Sequence, residues 1–291
     1  MQKIIKRAYD LFPFKRLAFL ILRHFYRPAQ ALYQRLTFDG PFRVRCHGRY
    51  FLLQNYSGHD HVIENEIFWN GLTGGWERAS LDLWTRLCES SQTIFDIGAN
   101  TGIYSLVAKT VNPSAVVVAF EPIPRIAREL FTNIRLNKFD IQVCSDAVSD
   151  RDGTRTIYDS AGGHTYTASF MQGFEQNNVG VEVKTTTLST FIRHQKLSSV
   201  DLMKIDVETH EYEVLAGLKE QFDLMKPTMV IEILTPELGG KIESLVRGKG
   251  YLYFAVHEDK APSRISSLGD GTVRNFLLCS PEKASMIGLT T

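Results

Sequence analysis

From Thr93 onward, short apolar runs alternate with stretches in which apolar residues recur every three or four positions. Thr93–Ile97 (TIFDI), Ala115–Phe120 (AVVVAF), Ile141–Ser145, Val200–Ile205 and Met229–Leu234 are rich in Val, Ile and Phe, as strands covered on both faces should be. Between them, Ile103–Val111 reads as a helix stopped by Asn112 and Pro113, and Pro124–Asn137 as a helix with proline in its first turn. Lys241–Lys249, Tyr251–Val256 and Val273–Cys279 add a closing helix and two strands. This βα alternation predicts an α/β fold with a mostly parallel sheet and helices on both faces. Residues 150–187 break the rhythm: Asp152-Gly153 and Gly162-Gly163 are turn signals, and VEVKTTTL reads as an exposed strand. An antiparallel insertion there would roof a pocket, with His164, Tyr166 and Ser169 within it.

Upstream the pattern changes. Residues 1–36 read as basic amphipathic helices broken at Pro13 and Pro28, residues 42–53 as a hairpin turning at Gly48, and Trp76–Glu89 as an amphipathic helix leading into the first buried strand. His59, Asp60, His61, Glu64 and Glu66 crowd one segment without a recognised ligand spacing, so it reads as a polar pocket entrance rather than a metal centre. The boundary is set at an N-terminal extension of residues 1–92 and a catalytic domain of residues 93–291.

Charge sharpens that division. The formal net charge of +1 hides 11 Lys/Arg against Asp10 and Asp39 in residues 1–50, a local +9 that leaves −8 for the remainder. The basic arm suits peripheral contact with an anionic membrane surface, packing against a second subunit in a homo-oligomer, or packing on the chain's own core. Its apolar residues outnumber its charges, so no nucleic-acid partner is expected. Cys46, Cys88, Cys144 and Cys279 are scattered, which indicates neither a zinc site nor a disulfide framework and fits a reducing compartment. The longest N-terminal apolar run, Leu17–Leu22, falls far short of the roughly 18 residues of a bilayer span. The expected location is cytoplasmic, or peripheral at the inner membrane surface.

The candidate chemistry sits at the ends of the buried strands. TIFDIGANTGIYS joins a strand, a glycine turn and a helix start, the layout of a nucleotide-cofactor site. Gly98 to Gly102 is GxxxG, not the GxGxxG that grips a pyrophosphate, and Asp96 precedes it. A carboxylate there repels a diphosphate and suits a cationic ligand; S-adenosylmethionine carries both an ammonium and a sulfonium. Glu121, at the tip of the second strand, is placed for ribose hydroxyls, and Asp146, at the third, for an adenine amino group. The fourth strand delivers KIDVETHE, in which Lys204, Asp206, Glu208, His210 and Glu211 follow a buried run, and Glu232 interrupts the fifth strand.

With DIGANTG, AFEPIP, NIRLN, DAVSDRDG, TTLSTFI and KIDVETHEYEVL in this order, the chain resembles the FkbM-type S-adenosylmethionine-dependent methyltransferases over about residues 93–258. The resemblance implies a Rossmann-like class I methyltransferase fold of seven strands, the last antiparallel, and O-methylation of a sugar or glycan hydroxyl or of a polyketide-type natural product. It implies that Asp96, Gly98, Asn100 and Gly102 hold the methionyl end, with Ala99 and Tyr104 also at the cofactor. Glu121 and Pro122 would take the ribose, Asp146 and Ala147 the adenine, and Asp206, Glu208 and Glu211 the reaction side. Two positions depart from the family pattern. Thr209 stands where glycine is usual, and Ser189 where an aspartate often follows Thr-Leu.

Proton removal from the acceptor hydroxyl falls to His210, by its near-neutral pKa, or to Glu208 or Glu232 if burial raises theirs. Alternatively Asp206, Glu208 and Glu232 would hold Mg2+. The rival classes are a nicotinamide-dependent oxidoreductase, an RNA methyltransferase using the basic arm, and a non-catalytic protein bound at a membrane surface.

Overall fold

The computed structural model describes residues 14–33, 35–57, 62–160, 168–170, 178–269, 271 and 273–289. Two short helices come first, α1 (Lys15–Leu22) and α2 (Gln30–Tyr33), then the predicted hairpin of β1 (Gly40–Cys46) and β2 (Arg49–Asn55). Its two-residue turn has His47 at φ 46° and Gly48 at φ 75°, the left-handed pair that matches the twist of an antiparallel ribbon. Helices α3 (Val62–Asn70) and α4 (Arg78–Cys88) lead into the main sheet.

Strand β3 (Thr93–Ile97) is buried throughout and runs through a glycine turn into α5 (Ile103–Val111). Strand β4 (Val116–Phe120), α6 (Pro124–Asn137) and β5 (Ile141–Cys144) continue the parallel alternation. A separate antiparallel layer then follows: β6 (Ala147–Val148), β7 (Gly153–Ser160), β8 (Ala168–Ser169) and β9 (Asn178–Thr186), in the order β6-β9-β7-β8. The expected insertion is therefore present, but β9 is not simply an exposed strand, because Val183, Thr185 and Thr186 are buried. His164 and Tyr166 lie outside the described residues, and of Ser169 only the backbone is described.

The chain returns through α7 (Leu188–Gln195), β10 (Leu202–Ile205), α8 (Glu211–Ala216), α9 (Glu220–Met225) and β11 (Thr228–Glu232). Helix α10 (Pro236–Val246), β12 (Leu252–Val256), β13 (Ser263–Ile265), β14 (Asn275–Cys279) and α11 (Pro281–Met286) close it. Helix α10 begins five residues before its predicted start, since Thr235 caps it by accepting the Leu238 N–H at 3.2 Å and Pro236 opens its first turn.

The main sheet has the order β13-β12-β14-β11-β10-β3-β4-β5. Strands β11, β10, β3, β4 and β5 are parallel and β14 is antiparallel to both neighbours, as expected. The difference is an eighth strand, β13, which pairs with the β12 edge over three residues.

One sheet face packs Phe95 and Phe120 against Phe191, with ring centroids 5.8 and 4.8 Å away. The other face shares a single core with the N-terminal residues: Phe19, Phe38, Phe42, Phe68, Trp69 and Trp84 join Ile94, Leu106 and Val117. Polar bonds extend this junction. Asn137 of α6 accepts the Leu52 N–H at 2.6 Å and donates to the Leu52 carbonyl at 2.7 Å. Asn133 accepts the Gln54 N–H and donates to the Thr101 carbonyl, both at 2.9 Å. The NIRLN motif thus ties hairpin, helix and glycine turn together.

Trp84 is fully buried, donates to the Tyr104 carbonyl at 3.0 Å and stacks edgewise on the Tyr104 ring at 5.4 Å. Trp84→Ala leaves a cavity and removes the indole donor to Tyr104, and should lower stability by about 3–5 kcal/mol in urea titration.

Candidate active site

The turn after β3 is shaped by two positions that exclude a side chain. Gly98 has φ 80° and a Cβ there would lie 1.8 Å from the Asp206 carbonyl oxygen; Gly102 has φ 93° and a Cβ would lie 2.4 Å from Leu130. Gly98 and Ala99 donate their N–H groups to the Phe120 carbonyl at 3.1 and 2.9 Å. Glu121 is clamped across the turn, with its two oxygens accepting the Asn100 N–H at 3.0 Å and the Ile123 N–H at 2.9 Å. Asp96 accepts from the N–H and hydroxyl of Ser105 at 2.9 and 2.6 Å. Burial pushes Asp96 up to about 6 despite Ser105 and Lys204, and Glu121 up to about 7 despite its backbone donors and Arg125.

These groups face a cavity of about 390 Å3 at the carboxyl ends of β3, β4, β10 and β11. At its other end Lys204, 1% exposed, places Nζ 2.9 Å from Asp206 and 4.9 Å from the Tyr104 ring centre. Burial opposes the ammonium charge, but Asp206 and Glu77 outweigh it and raise the Lys204 pKa. Burial likewise opposes the Asp206 carboxylate, yet Lys204 and a hydrogen bond from Glu232 hold its pKa down. Glu232 moves the opposite way: burial and the neighbouring Asp206 charge keep it protonated well above the usual carboxylate range. Glu77 hydrogen-bonds the Tyr104 hydroxyl and completes the ring of carboxyls around Lys204.

The loop carrying Asp206 is held from behind. Glu211, fully buried, accepts the N–H groups of Val207 at 3.0 Å and Thr209 at 3.2 Å, and burial pushes it to about 7. Between them Glu208 has φ 52° and Thr209 φ 79°. Thr209 therefore takes the left-handed backbone that explains the usual glycine, with a β-branched side chain that disfavours it.

Of the residues expected at the site, Asp96, Gly98, Ala99, Asn100, Tyr104, Glu121, Pro122, Ala147, Asp206, Glu208 and Glu232 line the cavity. Gly102 instead packs on Leu130 beneath it. Asp146 is half-buried in the turn before β6 and is not among the lining residues. His210 does not line the cavity either. Its Nε2 lies 3.0 Å from the Ser149 hydroxyl, its Nδ1 3.5 Å from Glu213, and its ring 4.2 Å from that of Phe170. Burial and Arg155 lower it to about 4, so it stays neutral behind Phe170, which itself lines the cavity. Ser189 bonds the Gly217 carbonyl through its N–H and Glu220 through its hydroxyl, away from the lining residues.

Sequence reading missed Glu77 and Phe170, and placed Lys204 in the cluster after the fourth strand without giving it a role. Lys204 had a signal, a charge inside the apolar run LMKI, the same logic that singled out Glu232. Glu77 had none, since it reaches the cavity from an element distant in sequence, whereas Phe170 follows Ser169 in the insertion expected to roof the pocket. His59, Asp60 and His61 lie outside the described residues. Glu64 accepts the Thr101 hydroxyl at 2.6 Å and braces the glycine turn.

The side chains do not fit the alternative of a magnesium ion on Asp206, Glu208 and Glu232. Lys204 already sits on Asp206, Glu232 holds a proton, and among the described residues no group of His, Cys, Asp and Glu is disposed to hold a metal. The anionic lining, the strand-tip Glu121 and the tight glycine turn do fit a cationic nucleoside cofactor.

The strand-end cavity and the glycine turn belong to an S-adenosylmethionine-dependent methyltransferase. The methyltransferase FkbM domain matches residues 96–253, and the chain belongs to that family. It is 30% identical to 31-O-demethyl-FK506 methyltransferase FkbM of Streptomyces tacrolimicus over 56% of this chain and 73% of that one. It is 29% identical to methyltransferase sdnD of Sordaria araneosa over 62% and 81%, and 28% identical to 2-O-methyltransferase NoeI of Sinorhizobium fredii over 44% and 57%. Among solved structures it resembles methyltransferase FkbM of Methylobacillus flagellatus, with TM-score 0.43 and 16% identity, over 65% of this chain and 43% of that one.

Thr209→Gly should relieve the left-handed strain and raise stability by roughly 0.5–1 kcal/mol, measured by thermal or urea unfolding.

A second expectation concerns pH. Asp96 at about 6, and Glu64, Glu121 and Glu211 at about 7, all keep their protons in the folded chain after the unfolded chain has released its own. Their contribution is complete below the ordinary carboxylate range and is lost as pH climbs through 6 to 7. His210 acts oppositely, but as one group against four, and the loss of ionised Asp206 falls below this window. The urea midpoint of the ligand-free protein should therefore be lower at pH 7 than at pH 5.

Proposed function

We propose that this chain transfers a methyl group to a hydroxyl oxygen of a small molecule, a sugar or glycan or a polyketide-type product. The observation that carries this reading is the cluster of Asp206, Glu208 and Glu232 lining one end of the cavity, with Lys204 at its base. Names among the relatives support an oxygen acceptor, since both 31-O-demethyl-FK506 methyltransferase and 2-O-methyltransferase NoeI specify one. In this reading residues 93–291 form the methyltransferase unit, and residues 1–92 are the extension that braces its glycine turn.

Glu121 would take the ribose hydroxyls through the lone pairs its backbone donors leave open, Pro122 and Ala147 would wall the nucleoside, and the turn around Asp96 and Asn100 would hold the methionyl end. When bound, S-adenosylmethionine supplies an electrophilic methyl group on a sulfonium sulfur. The remaining work is alignment of the incoming hydroxyl and removal of its proton.

Asp206 is ionised and doubly hydrogen-bonded, which makes it a firm acceptor for the substrate O–H and a weak base. Protonated Glu232 holds Asp206 in place and has no capacity to take a second proton. Glu208 is half-buried and lines the cavity, so it can accept the proton and pass it to solvent. His210, behind Phe170, acts as a support and not as the base.

Asp206→Ala should lower turnover by about 10²-fold or more, and Glu208→Gln should lower kcat by at least tenfold with little change in cofactor affinity. Methyl transfer to a panel of polyhydroxylated acceptors, alongside calorimetry with S-adenosylmethionine, checks both. Turnover by Asp206→Ala equal to that of the unaltered chain would remove the cluster from the reaction.

A further inference from the structure

Helix α1 is apolar on two opposite sides. Phe19 points inward, with its ring 5.5 Å from Trp69 and 6.3 Å from Phe38. Leu17 and Ile21, one turn apart on the other side, are 58% and 56% exposed, and Phe25 and Tyr26 just beyond are 85% and 47% exposed. Large apolar side chains left in water this close together mark a surface that meets something.

Charge narrows what that partner is. From Leu11 to Phe38 there is no Asp or Glu, while Lys15, Arg16, Arg23, Arg27 and Arg35 fall in the same stretch. Arg16 and Arg27 are exposed in this stretch, the Arg16 side chain running past Gly40. A second copy presenting the same face about a two-fold axis would bring these cations against their own counterparts. An anionic lipid surface offers the complement to both features, with acyl chains for the apolar stripe and headgroup charge for the arginines.

We propose that residues 14–27 form a docking face for an anionic lipid bilayer. No helix among the described residues is long and apolar enough to cross one, so the attachment is peripheral and depends on ionic strength. Its position relates to the cavity. The last turn of helix α3 meets Phe19 of α1 through Trp69 and the following Arg23 through Phe68, and its first turn lines the cavity with Val62 and Ile63. The proposal rests on the patch and not on the reaction assigned above.

The test is flotation of the full chain with vesicles of phosphatidylcholine containing about one-third phosphatidylserine, and with vesicles of phosphatidylcholine alone. The expected result is flotation with the anionic vesicles, loss of it at high salt, and at least a tenfold weaker partition for the Leu17→Glu, Ile21→Glu, Phe25→Glu variant. These positions are on the surface, and unchanged thermal unfolding of the variant shows that the fold is retained. A chain that stays at the bottom of the gradient, that floats equally with neutral vesicles, or whose variant floats like the unaltered protein overturns the proposal. So does a dimer, seen by sedimentation, that the three substitutions dissolve while flotation is absent; that result gives the face to a second copy.

Discussion

An ammonium buried against a carboxylate at the end of β10 sets the terms for the rest of the site. Lys204 is 1% exposed and bonds Asp206 at 2.9 Å. Removing two charges from water costs several kcal/mol each, so such a pair survives only when its remaining valences are met. They are met here by Glu232, which keeps a proton and hydrogen-bonds Asp206, and by Glu77 with the face of Tyr104. The same loop makes Gly98 obligatory, because the Asp206 carbonyl fills the space of a Cβ, and the Asp206 N–H extends the β10–β3 ladder by donating to the Ile97 carbonyl at 3.0 Å. Cofactor turn and carboxylate cluster are thus one packed unit.

That unit is braced from the N-terminal side. Asn133 links the β2 backbone to the Thr101 carbonyl, and Glu64 accepts the hydroxyl of the same threonine. The aromatic cluster of Phe38, Phe42 and Phe68, with centroids 4.6 to 6.2 Å apart, anchors the hairpin and α3 beneath these bonds. The described residues that precede β3 therefore enter the energetics of the glycine turn directly, through one shared core. An apolar N-terminal stretch that covers core with one side of α1 and leaves the other in water has both the fixed position and the free surface that docking requires.

Anionic character at the cofactor end also decides between ligand classes. Asp96 lines the cavity beside the glycine turn, so a pyrophosphate gripped there would face its carboxylate, whereas a sulfonium or ammonium would favour the ionised form of Asp96 that burial holds back. Neutral, stacked His210 shows the converse. A pKa suited to catalysis in water becomes irrelevant once burial and Arg155 lower it and Phe170 stands between it and the cavity.

Strand and helix order was legible because local rules set it: β-branched runs, the Asn-Pro stop after α5, Pro124 at the start of α6 and the glycine turn each act over a few residues. The same locality made Asp96, Glu121, Asp206 and Glu232 readable, since each ends or interrupts a buried strand. Thr209 was legible as an anomaly, and its positive φ is the physical content of that anomaly. What only the folded chain decided was which charged groups meet. Sheet order sets β10 between β3 and β11, and α4 brings Glu77 over Lys204 from 127 positions earlier in the chain. Protonation and hydrogen bonding depend on separation in space, which no periodicity along the chain encodes. The amino-acid order thus determined where the ionisable side chains stand along the strands, and tertiary packing determined which of them carry charge.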